Sequence, residues 1–379
     1  MKPRIYLDWN ATAPLRPEAQ KAMTEAMEVF GNPSSIHAEG RSARMLIEDA
    51  RTAIAALVGA RPRDVVFTSG GTEANVLALS PGRQGAAPAS ERLLVSAIEH
   101  PSVLSAGATG GRAPEQIPVT ADGVVDVNAL RQHLSQGPPA FVSVMFANNE
   151  TGVIQPISEV AQAVHEAGGI LHVDAVQALG KINFKINEIG TDLLTVSAHK
   201  IGGPKGIGAL IAKNEGARLS PQLVGGGQER GRRGGTENVI GIAGFGAAAR
   251  AVADGIDTEV PRMAALRAAL ERALKQFPGA EIIAESASRL PNTVMVALRG
   301  LKAETTVIAF DLAGIAISAG SACTSGKVHA SHVLTAMQVP QELAQSALRF
   351  SLGSRTTEDE IAEAAEVWRR VARTGSHGV

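Results

Sequence analysis

ILHVDAVQ (Ile170 to Gln177) and, a short spacer later, LLTVSAHKIGGPKG (Leu193 to Gly206) decide how this chain folds. Each begins as a short, largely apolar run, as expected of a strand buried on both faces, and each ends abruptly in polar residues. Four more runs of the same kind flank them: VVFT (Val65 to Thr68), LLVS (Leu93 to Ser96), FVSVMF (Phe141 to Phe146) and GALIA (Gly208 to Ala212). Between the runs lie stretches of helical rhythm. Ala43, Leu46, Ile47, Ala50, Ile54, Leu57 and Val58 recur at helical spacing, and Ile157 to Ala167 reads as a helix closed by Gly168. The alternation predicts an α/β architecture with a mostly parallel sheet and crossover helices. In such sheets ligands collect beyond the carboxyl ends of the strands, which is where Asp174 and Lys200 stand.

The 379 residues are long for one core, which predicts a large domain with a smaller companion. The texture changes after about Gly244: an alanine-rich passage leads into an amphipathic helix expected over Arg262 to Phe277. Strand-like NTVMVAL, a helix from about Glu304, SAGSACTSG (Ser318 to Gly326) and strand-like LRFSL come next. Thr357 and Glu360 form a capping box that opens a final helix. We therefore expect a large domain over 16–256 and a small α+β domain over 1–15 and 257–379. PGRQGAAPAS (Pro81 to Ser90) reads as a surface loop.

A formal net charge of -1 gives no sign of nucleic acid or an anionic membrane as partner. No apolar run in the sequence reaches the roughly 18 residues of a spanning helix, and the N-terminal MKPRIYLDWNATAPLRPEA has no apolar leader stretch. A single cysteine, Cys323, allows no intrachain disulfide, which suits a reducing compartment and predicts a cytoplasmic protein. The cysteine sits among glycine, serine and threonine, a setting for a mobile loop rather than a core.

The chemistry is carried by the residues just past each strand. After VVFT, SGGTEAN offers Gly70, Gly71 and a helix opened by Thr72, an anion cradle or an ordinary glycine turn. After LLVS comes His100, which suits stacking on a flat ligand, proton transfer, or a helix cap. After FVSVMF come Asn148, Asn149 and Glu150, a polar cluster that also suits a turn. Asp174 ends a buried strand, so something positive should face it; Gln177 comes next, then Ser197, His199 and Lys200. One ligand answers these together: pyridoxal 5'-phosphate needs a lysine for its aldehyde, an acid beside its pyridine nitrogen and a cradle for its phosphate. Lys200, Asp174 and the Gly71–Thr72 turn meet those needs in order.

YLDWNATAP, GNPSSIH, TSGGTEAN, EHPSV, NNETG, HVDAVQ, SAHKIGGPKG, GGGQERGRRGGTENV, SAGSACTSG and LRFSLG together resemble the NifS/IscS-like cysteine desulfurases, within the class-V aminotransferases. The resemblance implies fold type I of the pyridoxal-phosphate transferases, with a mostly parallel seven-stranded sheet in the large domain. It implies that Lys200 holds the cofactor covalently, Asp174 pairs with the pyridinium, Gln177 bonds the phenolic oxygen, His100 stacks on the ring and Asn149 contacts cofactor or substrate. Phosphate ligands would be Gly71, Thr72, Ser197 and His199, with Thr236 supplied by the other subunit of a homodimer. Arg349 would bind the substrate carboxylate, a structural ion pair being its alternative role.

It further implies that L-cysteine is the substrate, that Lys200 or His100 moves the α-proton, and that Cys323 takes the sulfur as a persulfide. An iron–sulfur scaffold protein or another acceptor would then collect it. No intrinsic metal is expected, beyond transient ligation of a cluster by Cys323 through such a scaffold. Two departures stand out: Trp9 in YLDxNAT, and KVHAS (Lys327 to Ser331), which brings Lys327 and His329 near the thiol. The alternatives are a selenocysteine lyase, a desulfurase serving tRNA thiolation, a general aminotransferase and a catalytically silent scaffold.

Overall fold

A computed structural model describes residues 4–79, 92–109, 113–213, 219–320, 323–324, 327–328 and 331–375. The stretch expected as a loop, Pro81 to Ser90, lies outside the described residues, as does His329. Each of the apolar runs is a strand: β1 (Val65–Thr68), β2 (Leu93–Ser96), then, past β3 (Glu115–Ile117), β4 (Phe141–Met145), β5 (Ile170–Asp174), β6 (Leu193–Ser197) and β7 (Gly208–Ala212). They form one seven-stranded sheet in the order β1-β7-β6-β5-β4-β2-β3. Only β7 runs against its neighbours; the other pairs are parallel. Strand β3 left no signature in the residue pattern because it is an edge strand with one buried residue, Ile117, and carries no apolar run.

Both faces of the sheet are covered, which is why its strands read as continuous hydrophobic runs. Helix α1 (Ala38–Val58) lays Ile47, Ala50, Ile54 and Val58 on the face formed by Val65, Phe67, Leu94 and Val142. It ends at Gly59, whose φ of 69° closes a helix without the cost a Cβ would add. Helix α2 (Gly71–Leu79) packs Ala74, Leu77 and Ala78 on the opposite face, against Val66, Leu193 and Leu210.

The helix expected from Arg262 is the second half of a longer one, α3 (Val239–Lys275), with Pro261 inside it. Proline removes one rung of the hydrogen-bond ladder. The apolar residues on either side outweigh that loss: Phe245, Ala248 and Val252 enter the first core, Leu266, Leu270 and Leu274 a second. The division expected between 256 and 257 thus falls within a continuous helix. By length and composition α3 is apolar enough to cross a bilayer, and much of that apolar surface is spent inside the protein.

The second core gathers Leu7, Val294, Phe310, Phe350 and Trp368 around a four-stranded antiparallel sheet. Its strands are β8 (Ala280–Ile282), β9 (Thr293–Leu298), β10 (Ser318–Ala319) and β11 (Leu348–Ser351), in the order β10-β11-β9-β8. The N-terminal Ile5–Tyr6 pairs in parallel with Ile315–Ala316. Helix α4 (Glu358–Gly375) opens with the expected capping box: Glu360 Oε2 accepts from Thr357 N–H at 2.9 Å, and Glu360 N–H donates to Thr357 Oγ1 at 3.3 Å. Trp368 Nε1 donates to the Leu274 carbonyl at 3.1 Å, tying α4 to α3.

The unusual Trp9 has a structural partner. Its ring lies on the backbone of Gly353, where an added Cβ would stand 1.9 Å from Trp9 Cδ2, and its Nε1 donates to the Tyr6 carbonyl at 3.0 Å. Gly353→Ala should therefore lower stability by about 2 kcal/mol through overpacking. Thermal unfolding of this variant alone and with Trp9→Phe checks this, the smaller ring recovering part of the loss.

Candidate active site

The carboxyl ends of β1, β2, β4, β5 and β6 meet around one cavity of about 360 Å³. Asp174, the last residue of β5, is buried at its edge; Oδ2 accepts from Asn75 Nδ2 at 2.8 Å and Oδ1 from Val176 N–H at 3.0 Å. These partners are neutral, so the positive group expected to face Asp174 is not supplied by them. Lys200 comes just after β6 and lines the same cavity, its Nζ donating to the carbonyls of Asn10 and Ala11 at 2.6 and 2.9 Å. Burial, then the charge of Arg349, pull its amine down to about 8, against the opposing pull of Asp174 and Asp8. An amine so lowered is neutral often enough to attack a carbonyl near physiological pH.

His100 begins the segment after β2. Ser102 N–H donates to His100 Nδ1 at 3.1 Å, and Ser102 Oγ lies 2.8 Å from the same nitrogen. The ring is thereby set with Nδ1 as acceptor and the proton on Nε2. Burial holds its pKa below the usual histidine value, with Lys200 and His332 acting the same way and Asp174 opposing. Asn75 Nδ2 donates to Ser102 Oγ at 2.9 Å as well as to Asp174, so acid and imidazole share one hydrogen-bonded chain. The motif TSGGTEAN points to Gly70, Gly71 and Thr72; Asn75 at its end was missed.

Gly71, Thr72, Ser197 and His199 line both this cavity and an adjoining one of about 490 Å³ that also reaches Lys205. The first N–H groups of α2 have no preceding turn to bond. A Cβ on Gly71 would press on Val176 Cγ2 at 3.0 Å. Burial, Lys200 and Lys205 push His199 down to about 4, so its imidazole is neutral there; Nδ1 lies 3.2 Å from Thr12 Oγ1.

Arg349, on β11, brings the second core to the cavity. Its guanidinium pairs with Asp8 Oδ1 at 2.6 Å and donates to the Asn149 carbonyl at 3.1 Å, while Nε is buried without a partner among the described residues. The ion pair held open as its alternative role is thus present alongside its place in the cavity. Asn149 and Gln177 line the cavity too; Gln177 Nε2 donates to the Asn10 carbonyl at 2.9 Å.

Thr236 lines neither cavity of its own chain. It lies just past a turn in which Glu229 and Arg230 adopt φ of 47° and 59°, held by a buried, two-pronged Arg51–Glu229 pair at 2.8 Å. Cys323 was expected in an open loop; Cys323–Thr324 instead pairs antiparallel with Lys327–Val328. The side chains of these residues lie outside those described. Downstream, the chain is bonded to residues next to those lining the cavity: Ser331 Oγ donates to Glu150 Oε2 at 2.6 Å, and His332 Nε2 to the Glu99 carbonyl at 2.9 Å.

Glu99, overlooked beside His100, is fully buried. Its Oε1 accepts from Ser96 Oγ and from Met145 N–H, and Oε2 has no described partner. Burial pushes it up to about 8; Ser96 and Met145 restrain the rise and Asp174 adds to it. Above its ordinary pKa near 4.5 the unfolded chain releases this proton while the folded chain keeps it. The contribution of Glu99 to stability therefore falls as pH rises from about 4.5 to about 8 and is level beyond. Glu99→Gln holds no such proton, so its stability relative to the parent should climb through that window. Denaturant midpoints at about pH 5 and about pH 8.5 test it; parallel profiles would mean a charged carboxylate.

The cavity fits pyridoxal phosphate: a buried acid whose partners are neutral, a lysine of lowered pKa, and a helix start with a glycine close to the wall. The family model Aminotransferase class-V matches residues 5–363. The cysteine desulfurase of Frankia sp. (strain EuIK1) is 46% identical over 390 residues, covering 98% of this chain and 92% of that protein. Among solved structures, the NifS-like protein from Rickettsia africae ESF-5 superposes with a TM-score of 0.89 at 36% identity, covering 98% of this chain and 99% of that one. SspA in complex with cysteine gives 0.79 at 28% identity, covering 93% and 100%. A match from near the N-terminus to the last helix, with a cavity of this polarity, places the chain in the class-V aminotransferase family of pyridoxal-phosphate enzymes.

Proposed function

We propose that this chain is a cysteine desulfurase, taking sulfur from L-cysteine onto Cys323 and releasing L-alanine. The observation that carries the reading is that Lys200, Asp174 and Arg349 converge on one cavity, while the chain beyond Cys323 is bonded through Ser331 and His332 to Glu150 and Glu99, the sequence neighbours of the cavity-lining Asn149 and His100. The relatives named cysteine desulfurase and the cysteine complex of SspA support the substrate.

Pyridoxal phosphate, when bound, supplies an electron sink for the pair left on the substrate α-carbon. Asp174 would pair with the ring nitrogen and keep it protonated, Gln177 would meet the phenolic oxygen, and Gly71, Thr72, Ser197 and His199 would cradle the phosphate. Arg349, whose Nε has no partner among the described residues, would take the substrate carboxylate. His100, its Nδ1 lone pair committed to Ser102, would stack on the ring rather than serve as the base, and Lys200, its amine lowered to about 8, would move the α-proton. The Cys323 thiolate would then bond to the substrate sulfur as the carbon–sulfur bond breaks; the carbon keeps the bonding pair and takes up a proton to become the alanine methyl group, and the sulfur stays on Cys323 as a persulfide.

The same reading makes the protein a homodimer in which Thr236 completes the partner's phosphate site. Exposed Phe30, Ile36 and Val224 lie beside segments that line a cleft between Pro33–Ser34 and the 226–237 turn, apolar surface suited to such a contact. The persulfide is passed in the cytoplasm to an iron–sulfur scaffold protein, with transient cluster ligation by Cys323, or to another acceptor.

The test is the stoichiometry of L-cysteine turnover by the purified, cofactor-loaded protein. Alanine and reducible persulfide sulfur in equal amounts support the assignment. A 2-oxo acid product would make it a general aminotransferase, much faster turnover of selenocysteine a selenocysteine lyase, and no turnover a silent scaffold.

A further inference from the structure

Lys181 lies four residues beyond Gln177 in the turn after β5 and is buried. Its Nζ donates to Gln177 Oε1 at 2.7 Å and to Asn10 Oδ1 at 3.0 Å, and no carboxylate pairs with it among the described residues. Two acceptors suit a neutral amine, which has two N–H groups; the third hydrogen of an ammonium would go unmet. The charged groups that act on it, Lys200 and Arg349, are both cations, and with burial they push its amine well below the usual lysine range.

Asn10 is fixed from several sides. Its Oδ1 also accepts from Asn292 Nδ2 at 3.1 Å, and its Nδ2 donates to Thr293 Oγ1 at 2.9 Å. Lys181 is therefore anchored at one acceptor and free to discipline the other. With Oε1 of Gln177 committed to a donor, the amide can turn only one way. Nε2 gives one hydrogen to the Asn10 carbonyl at 2.9 Å and has another left, on a side chain that lines the cavity.

We propose that Lys181 is a positioning residue: it holds Gln177 Oε1 so that Gln177 presents the cofactor's phenolic oxygen with a donor and never an acceptor. This rests on the reading that Gln177 faces that oxygen. Nothing in Lys181 touches the reacting atoms.

The test compares Lys181→Met, Gln177→Ala and the double variant, reconstituted with pyridoxal phosphate, by the position of the visible absorbance band and by cofactor dissociation. Each single variant should move the band and loosen the cofactor by about tenfold, the worth of one hydrogen bond. The double variant should be no worse than Gln177→Ala alone. If Gln177→Ala moves band and affinity while Lys181→Met does not, the inference falls and the reading of Gln177 stands. If Gln177→Ala changes neither, that reading falls and takes the inference with it. An equal effect of Lys181→Met in both backgrounds means packing alone, which also overturns it. Should Lys181→Met fail to fold, Lys181→Gln, polar but too short to keep both contacts, is measured in its place with the same outcomes.

Discussion

Lys200→Ala should purify without the visible absorbance of covalently held pyridoxal phosphate and lose roughly 10³-fold or more in L-cysteine turnover. Two roles fail together, because one amine both anchors the cofactor and moves the substrate's α-proton. Among the described residues the geometry leaves no substitute: the lone pair of His100 is taken by Ser102, and Lys181 is enclosed by Gln177 and Asn10. The phosphate cradle and Asp174 are untouched, so the variant should still bind the cofactor noncovalently. Absorbance and equilibrium dialysis on one preparation read both effects. A parental absorbance band in Lys200→Ala would overturn the assignment of the anchoring lysine.

Cys323→Ser should give the opposite pattern: full visible absorbance, and no persulfide from L-cysteine. A thiolate is a strong nucleophile toward sulfur, and serine, un-ionised at neutral pH, cannot form the corresponding bond. Turnover to alanine should fall by at least about 10²-fold. The spectral changes on cysteine addition should persist, since Lys200, Asp174 and Arg349 are unaltered. Alanine and sulfide formed at the parental rate would mean that the sulfur leaves without Cys323. The two variants thus separate the cofactor's half of the reaction from the sulfur-accepting half.

Much of this was legible in the chain because buried parallel strands cannot alternate. VVFT, LLVS and LLTV read as strands since both faces of the sheet are covered, and Asp174 and Lys200 stood out as charges set where a buried strand stops. The edge strand β3 was invisible for the converse reason. The helix expected over Arg262 to Phe277 is the second half of a longer one that continues through Pro261, because two cores offer apolar partners along its length, which no local pattern can weigh.

In the site, the residue pattern alone named the groups the cofactor needs, because lysine, acid and glycine turn each stand just past a strand of one sheet. Their supporting cast came from the folded chain. Asp8 faces Arg349 from the far end of the chain, Asn75 joins Asp174 to Ser102 and His100, and Asn10 links Gln177, Lys181 and Lys200. Asp8, Asn10, Glu99 and Lys181 carry no local pattern that distinguishes them from solvated or capping residues. Their roles arise from burial beside groups distant in sequence, and burial sets both the protonation state of a carboxyl or amine and the single direction in which an amide can turn.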